Sequence, residues 1–112
     1  MAACLFCRIV AGEIPATKLA ENDRCVAFLD INPQAPVHVL VIPKQHFDSV
    51  IEVHDGAVMG ELVEMARGIA KAEGISKNGF RLVINTGVDG AQSVEHLHLH
   101  LLGGRKMNWP PG

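Results

Sequence analysis

Several features that would assign a chain to a common class are absent from this sequence. No apolar run approaches the ~18 residues of a membrane-spanning helix, and the first residues lack the basic-then-apolar layout of a signal peptide. Ten Lys+Arg against twelve Asp+Glu give a net charge of −2, without the basic excess of a general nucleic-acid binder. Three cysteines are too few for a disulfide scaffold. We therefore expect a cytoplasmic protein that binds neither nucleic acid nor membrane.

Charged residues are also scarce. They make up 20% of the 112 residues, against 48% apolar residues and a mean hydropathy of +0.20. A disordered chain would show the opposite balance. No repeat, low-complexity tract or linker divides the sequence, so we predict a single domain over residues 1–112. So small a domain has little interior for this much apolar surface, which favours self-association through an apolar face.

Apolar periodicity predicts one long helix over residues 55–73. Asp55 is placed to cap its start and Gly74 to end it. The residues that recur at three- and four-residue steps, and so form one apolar stripe, are Val58, Met59, Leu62, Val63, Ala66, Ile69 and Ala70. A short helix is predicted over 5–11, and strands over 17–20, 25–29, 37–42, 80–84 and 96–102. Together these elements favour an α+β fold with a largely antiparallel sheet.

The strongest chemical signal is an alternation of histidine and leucine within the last predicted strand. His96, His98 and His100 share one face of such a strand, and the intervening leucines share the other. The leucines fit a core, whereas three imidazoles in register are a poor way to fill one. Three interpretations remain: a solvated polar face, a metal site, or phosphate chemistry with one imidazole as nucleophile. Spacing alone does not separate metal from phosphate.

The segment before the histidines favours phosphate. Asn85, Gly87, Gly90, Gln92 and Ser93 form a glycine-containing polar loop that leads into the strand. Such a loop can direct backbone N–H groups and short polar side chains at an anion. No cluster of carboxylates accompanies the histidines to hold Mg²⁺.

Cys4 and Cys7 form an isolated Cys-x-x-Cys pair. A structural zinc site needs four ligands, and no second cysteine pair exists, so any missing ligands would have to be histidines. A redox role would need a thioredoxin-like βαβ context, which is absent. Cys25 lies in an apolar strand and is predicted to be a buried small hydrophobic residue.

The histidine segment resembles a known family motif. Residues 96–102 match the His-x-His-x-His-x-x pattern of the histidine triad (HIT) nucleotide hydrolases and transferases. Four segments are similar to the Hint-like purine nucleoside phosphoramidase branch: 30–38 (DINPQAPVH), 41–46 (VIPKQH), 90–94 (GAQSV) and 102–112 (LGGRKMNWPPG). The resemblance implies a HIT-like fold, with an antiparallel sheet of about five strands, one main helix and a short N-terminal helix. It also implies a homodimer across which the sheet continues.

The resemblance further implies a function. His98 would attack the α-phosphorus of a purine nucleoside 5′-phosphoramidate, forming a covalent nucleotidyl-histidine that water then hydrolyses to the nucleoside monophosphate. His96, His100, His38 and Ser93 would assist catalysis, with His38 in a relay that orients the nucleophile. The nucleotide-binding positions carried over are Phe6, Phe28, Asp30, Ile31, Asn85, Ala91, Gln92, Ser93, His98, Leu99 and His100.

Members of the family with an N-terminal cysteine pair also suggest how that pair is completed. A structural zinc would be held by Cys4, Cys7, His46 and His96, and catalysis itself would require no cofactor. Expected partners are a purine nucleoside phosphoramidate or AMP-like ligand and a second copy of the chain. Two alternatives remain: a zinc-dependent hydrolase that uses the histidines as ligands, and a nucleotide-binding scaffold with vestigial catalysis.

Overall fold

The structure, a computed structural model, describes residues 4–112. Its helices are α1 (Leu5–Val10) and α2 (Gly56–Ala72), with a 3₁₀ turn at Val50–Glu52 that the sequence did not predict. Its strands are β1 (Lys18–Glu21), β2 (Cys25–Leu29), β3 (Val37–Pro43), β4 (Phe80–Val83) and β5 (Leu99–Gly103). They form one antiparallel sheet in the order β1-β2-β3-β5-β4. The expected α+β fold with five antiparallel strands is confirmed.

Helix α2 lies where its pattern placed it. The Asp55 carboxylate accepts from the Ala57 N–H at 3.0 Å, and Gly74 follows the last turn with a φ of +75° that favours glycine. Its buried residues are Val58, Leu62, Ala66, Ile69 and Ala70. Val63, predicted to lie on the same stripe, is 40% exposed, so the contact face is narrower than the sequence suggested. Among residues 4–112, no helix is both long and apolar enough to cross a membrane.

The last strand begins three residues later than predicted. Ladder pairing starts at Leu99, opposite Val41, so His96 and His98 lie just before it. The reason lies in the neighbouring strand, which ends at Pro43. The Pro43 carbonyl accepts from the His96 ring at 2.9 Å rather than from a strand N–H. The Leu97 N–H instead donates to the Phe47 carbonyl at 2.7 Å.

The sheet buries both of its faces, and the two faces differ. The first, covered by α2, holds the leucines of the histidine segment together with alternate residues of β2 and β3. The second, covered by α1, holds Phe6, Ile9, Val26, Phe28, Leu40 and Ile42. Phe6 of α1 contacts the rings of His96 and His98 edge-on, at centroid distances of 5.8 and 5.2 Å. The histidines therefore lie on the α1 face, opposite their leucines, as strand alternation predicted. Cys25 is buried on the α2 face, as expected.

Candidate active site and metal centre

A cavity of about 220 Å³ opens on the α1 face of the sheet. Its wall is mostly apolar, supplied by α1, by residues 14–16 and by the end of β2. The side chains that bring polar groups to its lining are those of His98, His100, Ser93 and Asp30. A mostly apolar cavity with a few convergent polar groups is the usual form of a small-molecule site.

His98 lines this cavity, and one of its ring nitrogens is engaged by the backbone. Its side chain is 3% exposed, and its Nδ1 lies 2.7 Å from the His96 carbonyl oxygen. A carbonyl oxygen only accepts, so Nδ1 carries the proton and donates it. The Nε2 atom of the neutral ring is left with a lone pair, which is the requirement for a nucleophile. Burial of His96 and His98 also excludes the interpretation of the histidines as a solvated face.

A chain of hydrogen bonds favours the opposite tautomer for His100, with the proton on Nε2 rather than on Nδ1. The Gln34 N–H donates to His38 Nδ1 at 3.0 Å, so the proton of a neutral His38 is on Nε2. That Nε2 lies 2.9 Å from His100 Nδ1, which therefore accepts. His100 then carries its own proton on Nε2 and is a donor. Asp30 is close to the same group, with its Oδ2 3.4 Å from His38 Nε2.

Burial keeps these two rings neutral. It lowers the pKa of His100 to about 4, with smaller contributions in the same direction from His98 and His38 and an opposing one from Asp30. Burial also lowers the pKa of His38, again opposed by Asp30. At neutral pH the site therefore holds a donor nitrogen on His100 beside the ring of His98, with the two ring centroids 5.0 Å apart.

The direct hydrogen-bond partner of His38 is His100, whereas His98 Nδ1 donates to the His96 carbonyl. The sheet register explains the contact between His38 and His100, because Leu40 pairs with His100 and His38 with Leu102, which brings His38 and His100 onto adjacent positions of one face. The ring of His100 lies between those of His38 and His98, 5.0 Å from that of His98. The relay from His38 to the nucleophile stays a prediction.

Four other residues expected at the nucleotide line the cavity. Phe6 and Phe28 pack edge-to-face with centroids 5.5 Å apart and form part of its apolar wall. Asp30 and Ile31 lie at the end of β2, where the Asp30 Oδ1 accepts from the Asn32 N–H at 2.8 Å. Ile31 is 99% exposed beside the opening, where an entering ligand would cover it.

Other expected positions are placed differently. Asn85 donates to the Gly90 carbonyl at 2.6 Å, and Gln92 donates to the carbonyls of Asp48 and Val94, so both amides hold the 85–94 loop together. Neither residue lines the cavity, and nor does exposed Ala91; only Ser93 and Val94 of the loop do. The Leu99 side chain is buried under α2, away from the cavity, because it alternates with the histidines.

A second group of polar side chains lies beside the first. Ligand atoms of Cys4, Cys7, His46 and His96 are all within 4.8 Å of one another. Measured separations are 3.3 Å from Cys4 Sγ to His96 Nδ1, 3.2 Å from Cys7 Sγ to His46 Nδ1 and 3.2 Å between the two Nδ1 atoms. Around tetrahedral zinc such atoms lie about 3.3–3.8 Å apart.

Hydrogen bonds prepare both histidines of this cluster to bind a metal. His96 directs its Nε2–H to the Pro43 carbonyl, and His46 Nε2 lies 2.7 Å from Asp48 Oδ1. Each ring therefore turns an unprotonated Nδ1 towards the cysteines, the arrangement typical of metal-bound imidazole. Partial burial and the neighbouring Cys4 raise the pKa of Cys7, so metal binding would release its proton. The donor set fits zinc.

Asp30, His38 and His100 form the other group close enough for a metal among the residues described. Their geometry fits one less well. The 2.9 Å between His38 and His100 is that of a hydrogen bond, and His38 Nε2 is protonated because Nδ1 is taken by Gln34. The three triad rings thus do not converge on one metal, contrary to the alternative of a zinc-dependent hydrolase that uses them as ligands.

Two partners in these clusters were missed in the sequence. Gln34 acts through its backbone, for which no side-chain pattern exists. Asp48 follows His46 at a two-residue spacing, and a carboxylate so near a candidate metal-binding histidine could have been noticed as its hydrogen-bond partner.

Comparisons with known proteins agree with this geometry. Residues 11–107 match the HIT domain family. The chain is 48% identical over 112 residues to a protein of Arabidopsis thaliana named adenylylsulfatase HINT1, an alignment that covers 96% of this chain and 76% of the relative.

Solved structures are similar over almost the whole chain. A HIT family hydrolase from Legionella pneumophila Philadelphia 1 superposes with a TM-score of 0.95 at 50% identity, covering 97% of this chain and 99% of that one. A zinc-bound histidine triad family protein from Mycobacterium smegmatis does so with a TM-score of 0.84 at 32% identity, covering 93% and 76%. With its three alternating histidines on the α1 face of the sheet, the chain belongs to the histidine triad family, among relatives of the Hint type.

Proposed function

We propose that the protein is a purine nucleotide hydrolase that cleaves nucleoside 5′-phosphoramidates through a covalent intermediate on His98. One observation carries the proposal: His98, which lines the cavity, donates its Nδ1–H to the His96 carbonyl, so that the Nε2 lone pair of the neutral ring is free. The hydrolase described from Legionella pneumophila, at 50% identity, supports an enzyme of this general class.

The proposed reaction has two steps. His98 Nε2 attacks the α-phosphorus, a nitrogen–phosphorus bond to the enzyme forms, and the bond to the substrate amine breaks. Ser93, which lines the same cavity as His98, assists protonation of the departing nitrogen. Water then attacks the same phosphorus, the His98 bond breaks, and the nucleoside monophosphate leaves.

His100 supports both steps. The transition state of phosphoryl transfer spreads negative charge over the non-bridging oxygens. A donor held in place beside the nucleophile opposes that charge without having to reorganise. The Nε2–H of His100 is such a donor, because His38 fixes its tautomer and burial keeps the ring neutral.

The rest of the cavity fits a purine nucleoside. Phe6 and Phe28 offer aromatic and apolar surface for a flat base. The Asp30 carboxylate can accept hydrogen bonds from the two ribose hydroxyls. Its Oδ1 accepts one hydrogen bond, from the backbone N–H of Asn32, and a carboxylate oxygen can accept a second. Asn85, Ala91 and Gln92 would act at the phosphate through the loop that they shape.

We further propose that Cys4, Cys7, His46 and His96 hold a structural zinc ion. The fit of the four ligand atoms and of the two outer hydrogen bonds supports this assignment, and a related protein is zinc-bound. Zinc would fasten α1 to the histidine segment and so set the position of Phe6 against His98. It takes no part in the reaction, which requires no cofactor.

The remaining proposals concern assembly and location. A homodimer is supported by the unpaired edges at β1 and β4 and by Phe80, which is 36% exposed on β4. Pairing of one edge with its copy would continue the sheet across two protomers. A cytoplasmic location suits free thiols that are to bind zinc.

The decisive experiment combines turnover with intact-protein mass spectrometry on adenosine 5′-phosphoramidate. We expect AMP release and a transient AMP adduct in wild type, and neither in His98→Ala. His54→Ala is the matched control, because His54 is exposed and lies outside both clusters. Activity that survives a chelator excludes metal chemistry, whereas AMP binding without turnover or adduct would replace the enzyme with a binding module.

A sulfate leaving group is the second candidate. The Arabidopsis relative is named for adenylyl sulfate, whose sulfate is likewise attached to the α-phosphorus. The same His98 intermediate would serve, but no proton would be needed on the leaving group. Adenylyl sulfate assayed beside the phosphoramidate decides between them: Ser93→Ala should slow release of the amine more than release of sulfate.

A further inference from the structure

The loop between β2 and β3 does more than join the two strands. Its ends are tied together, because the Asp30 N–H donates to the His38 carbonyl at 3.1 Å. Its middle turns back, so that the Gln34 N–H reaches His38 Nδ1 at 3.0 Å. This backbone bond occupies His38 Nδ1 and so favours the proton on Nε2, which also faces Asp30 Oδ2 at 3.4 Å; through His38 it favours the Nε2–H tautomer of His100.

Within the loop, the Gln34 side-chain Nε2 donates to the Asn32 carbonyl at 3.1 Å, and the Asn32 N–H donates to Asp30 Oδ1 at 2.8 Å. Residues 31–34 are exposed and make no ladder bonds. The Gln34 carbonyl is held from the far end of the chain. Arg105 directs two donors, Nε and Nη2, to the single carbonyl oxygen of Gln34, at 3.2 and 3.0 Å.

The chain segment that carries Arg105 lies against this loop. Gly103, the last residue of β5, pairs with Val37, and Arg105 follows two residues later. Gly104 has a φ of +88°, and a Cβ built there would lie 2.9 Å from Pro36 Cβ. The backbone after β5 therefore lies directly against the loop, in a conformation that glycine permits. This backbone brings the exposed side chain of Arg105 within hydrogen-bond distance of the Gln34 carbonyl.

We propose that Arg105 is a positioning residue for His100. By holding the Gln34 carbonyl it keeps the Gln34 N–H on His38 Nδ1, which keeps His38 as the Nε2–H tautomer and His100 as a donor towards the phosphate. This inference rests on the proposed function for its catalytic consequence. The tautomers themselves are a property of the free protein.

Loss of Arg105 has a specific chemical consequence. With Gln34 released, His38 can place its proton on Nδ1 and turn an Nε2 lone pair towards His100. His100 must then protonate Nδ1 to keep the bond, and its Nε2 lone pair faces the cavity. A lone pair repels an anionic oxygen where an N–H attracted it, so the loss is concentrated in the transition state.

The test compares three variants in the full-length protein. Arg105→Met removes both donors, Arg105→Lys keeps the charge but not the planar fork, and Arg67→Met is the control, since Arg67 lies on α2 and contacts Glu64. Nitrogen-15 resonances of the histidine rings report the tautomers. Kinetics with adenosine phosphoramidate report kcat and KM separately.

We expect Arg105→Met to shift the His38 and His100 ring nitrogens towards a tautomer mixture. It should lower kcat about 10-fold, the smaller end of the cost of losing an outer hydrogen-bond partner, with KM nearly unchanged. Arg105→Lys should recover part of both, and Arg67→Met should match wild type. Unchanged tautomers in Arg105→Met would overturn the proposal, whatever happens to kcat or to the melting temperature.

Failure of the proposed function looks different. A wild-type protein without phosphoramidate turnover would remove the kinetic readout, but the ring resonances of the variants would still support or overturn the role of Arg105.

Discussion

The two histidine clusters are built from similar parts and behave differently. One combines His46 and His96 with two thiols, and the other combines His38 and His100 with a carboxylate. In the first, the facing Nδ1 atoms lie 3.2 Å apart, and the outer hydrogen bonds leave both available to a metal ion. In the second, the facing nitrogens lie 2.9 Å apart and share one proton.

The difference comes from what binds the outer nitrogen of each ring. An outer acceptor, such as the Pro43 carbonyl or the Asp48 carboxylate, favours the proton on the outer ring nitrogen, which donates to it. The inner nitrogen is then free for a metal. An outer donor, the Gln34 N–H, does the reverse and places the proton inside, between His38 and His100. Outer hydrogen bonds therefore decide between metal binding and hydrogen-bond donation, although the residue type is the same.

Removal of one thiol should produce the largest effect. Cys7→Ala is preferred to Cys4→Ala, because the Cys4 thiol also accepts the Cys7 N–H at the start of α1. We expect loss of stoichiometric zinc and, at free zinc 1,000-fold above the dissociation constant, a loss of about 4 kcal/mol in the free energy of unfolding. Elemental analysis and denaturant unfolding measure both. Cys25→Ala controls for loss of a thiol and should retain zinc.

Removal of the donor tests the other cluster. His100→Ala should reduce turnover of adenosine phosphoramidate by about 10²–10³, the usual cost of losing one donor to an oxyanion, while zinc content stays at the wild-type value. Steady-state kinetics and metal analysis on the same preparation provide the comparison. If zinc were lost together with activity, the two clusters would not be separate units.

Acid titration tests the cluster of Asp30, His38 and His100, in which burial keeps His100 neutral. The pKa of His100 is about 4 in the folded protein, below the ordinary 6.5, so between these values the unfolded chain binds a proton that the folded protein does not. The contribution of His100 to the free energy of unfolding is therefore fully present above pH 6.5 and is lost as the pH falls towards 4. Since the ring is only half-buried, we expect a loss of about 1–2 kcal/mol.

Denaturant unfolding between pH 7 and 4 at fixed zinc would measure this loss. His38 contributes with the same sign, because burial lowers its pKa as well. His100→Asn should flatten the slope and His54→Asn should not. An equal slope in His100→Asn would show that His100 is not the group responsible.

The smallest expected change comes from the outer shell of the metal cluster. Asp48→Asn removes the carboxylate from His46 Nε2 and should weaken zinc binding about 10-fold, with stoichiometric zinc still bound at saturation. Competition with a chromogenic chelator measures this affinity. Glu52→Gln, a similar change at an exposed acidic residue of the 3₁₀ turn, is the control. No effect of Asp48→Asn would show that the outer acceptor does not tune this site.

Much of the secondary structure could be predicted from the sequence. The features that could not be predicted depend on contacts between segments that are far apart in the chain. The bounds of α2 and of β2 and β3 follow from local periodicity and caps, which depend on neighbours within a few residues. The start of β5 does not, because it depends on where Pro43 ends the facing strand. The partner of His38 depends on the β3–β5 register, and the side chains of Asn85 and Gln92 bond to loop carbonyls that no pattern indicates.

The sequence by itself determined the alternation that separates the histidines from their leucines, which follows from the period of a strand and is a local property. Its resemblance to the histidine triad family further implied the roles of the three histidines and the proposed zinc ligands. Only the tertiary structure decided the hydrogen bonds of each triad histidine: His96 Nδ1 lies 3.3 Å from Cys4 Sγ, His98 Nδ1 donates to the His96 carbonyl, and His100 Nδ1 accepts from His38. The reason is physical, since a ring's tautomer is set by its hydrogen-bond partners, and those partners are brought from distant segments by sheet register and by the packing of α1.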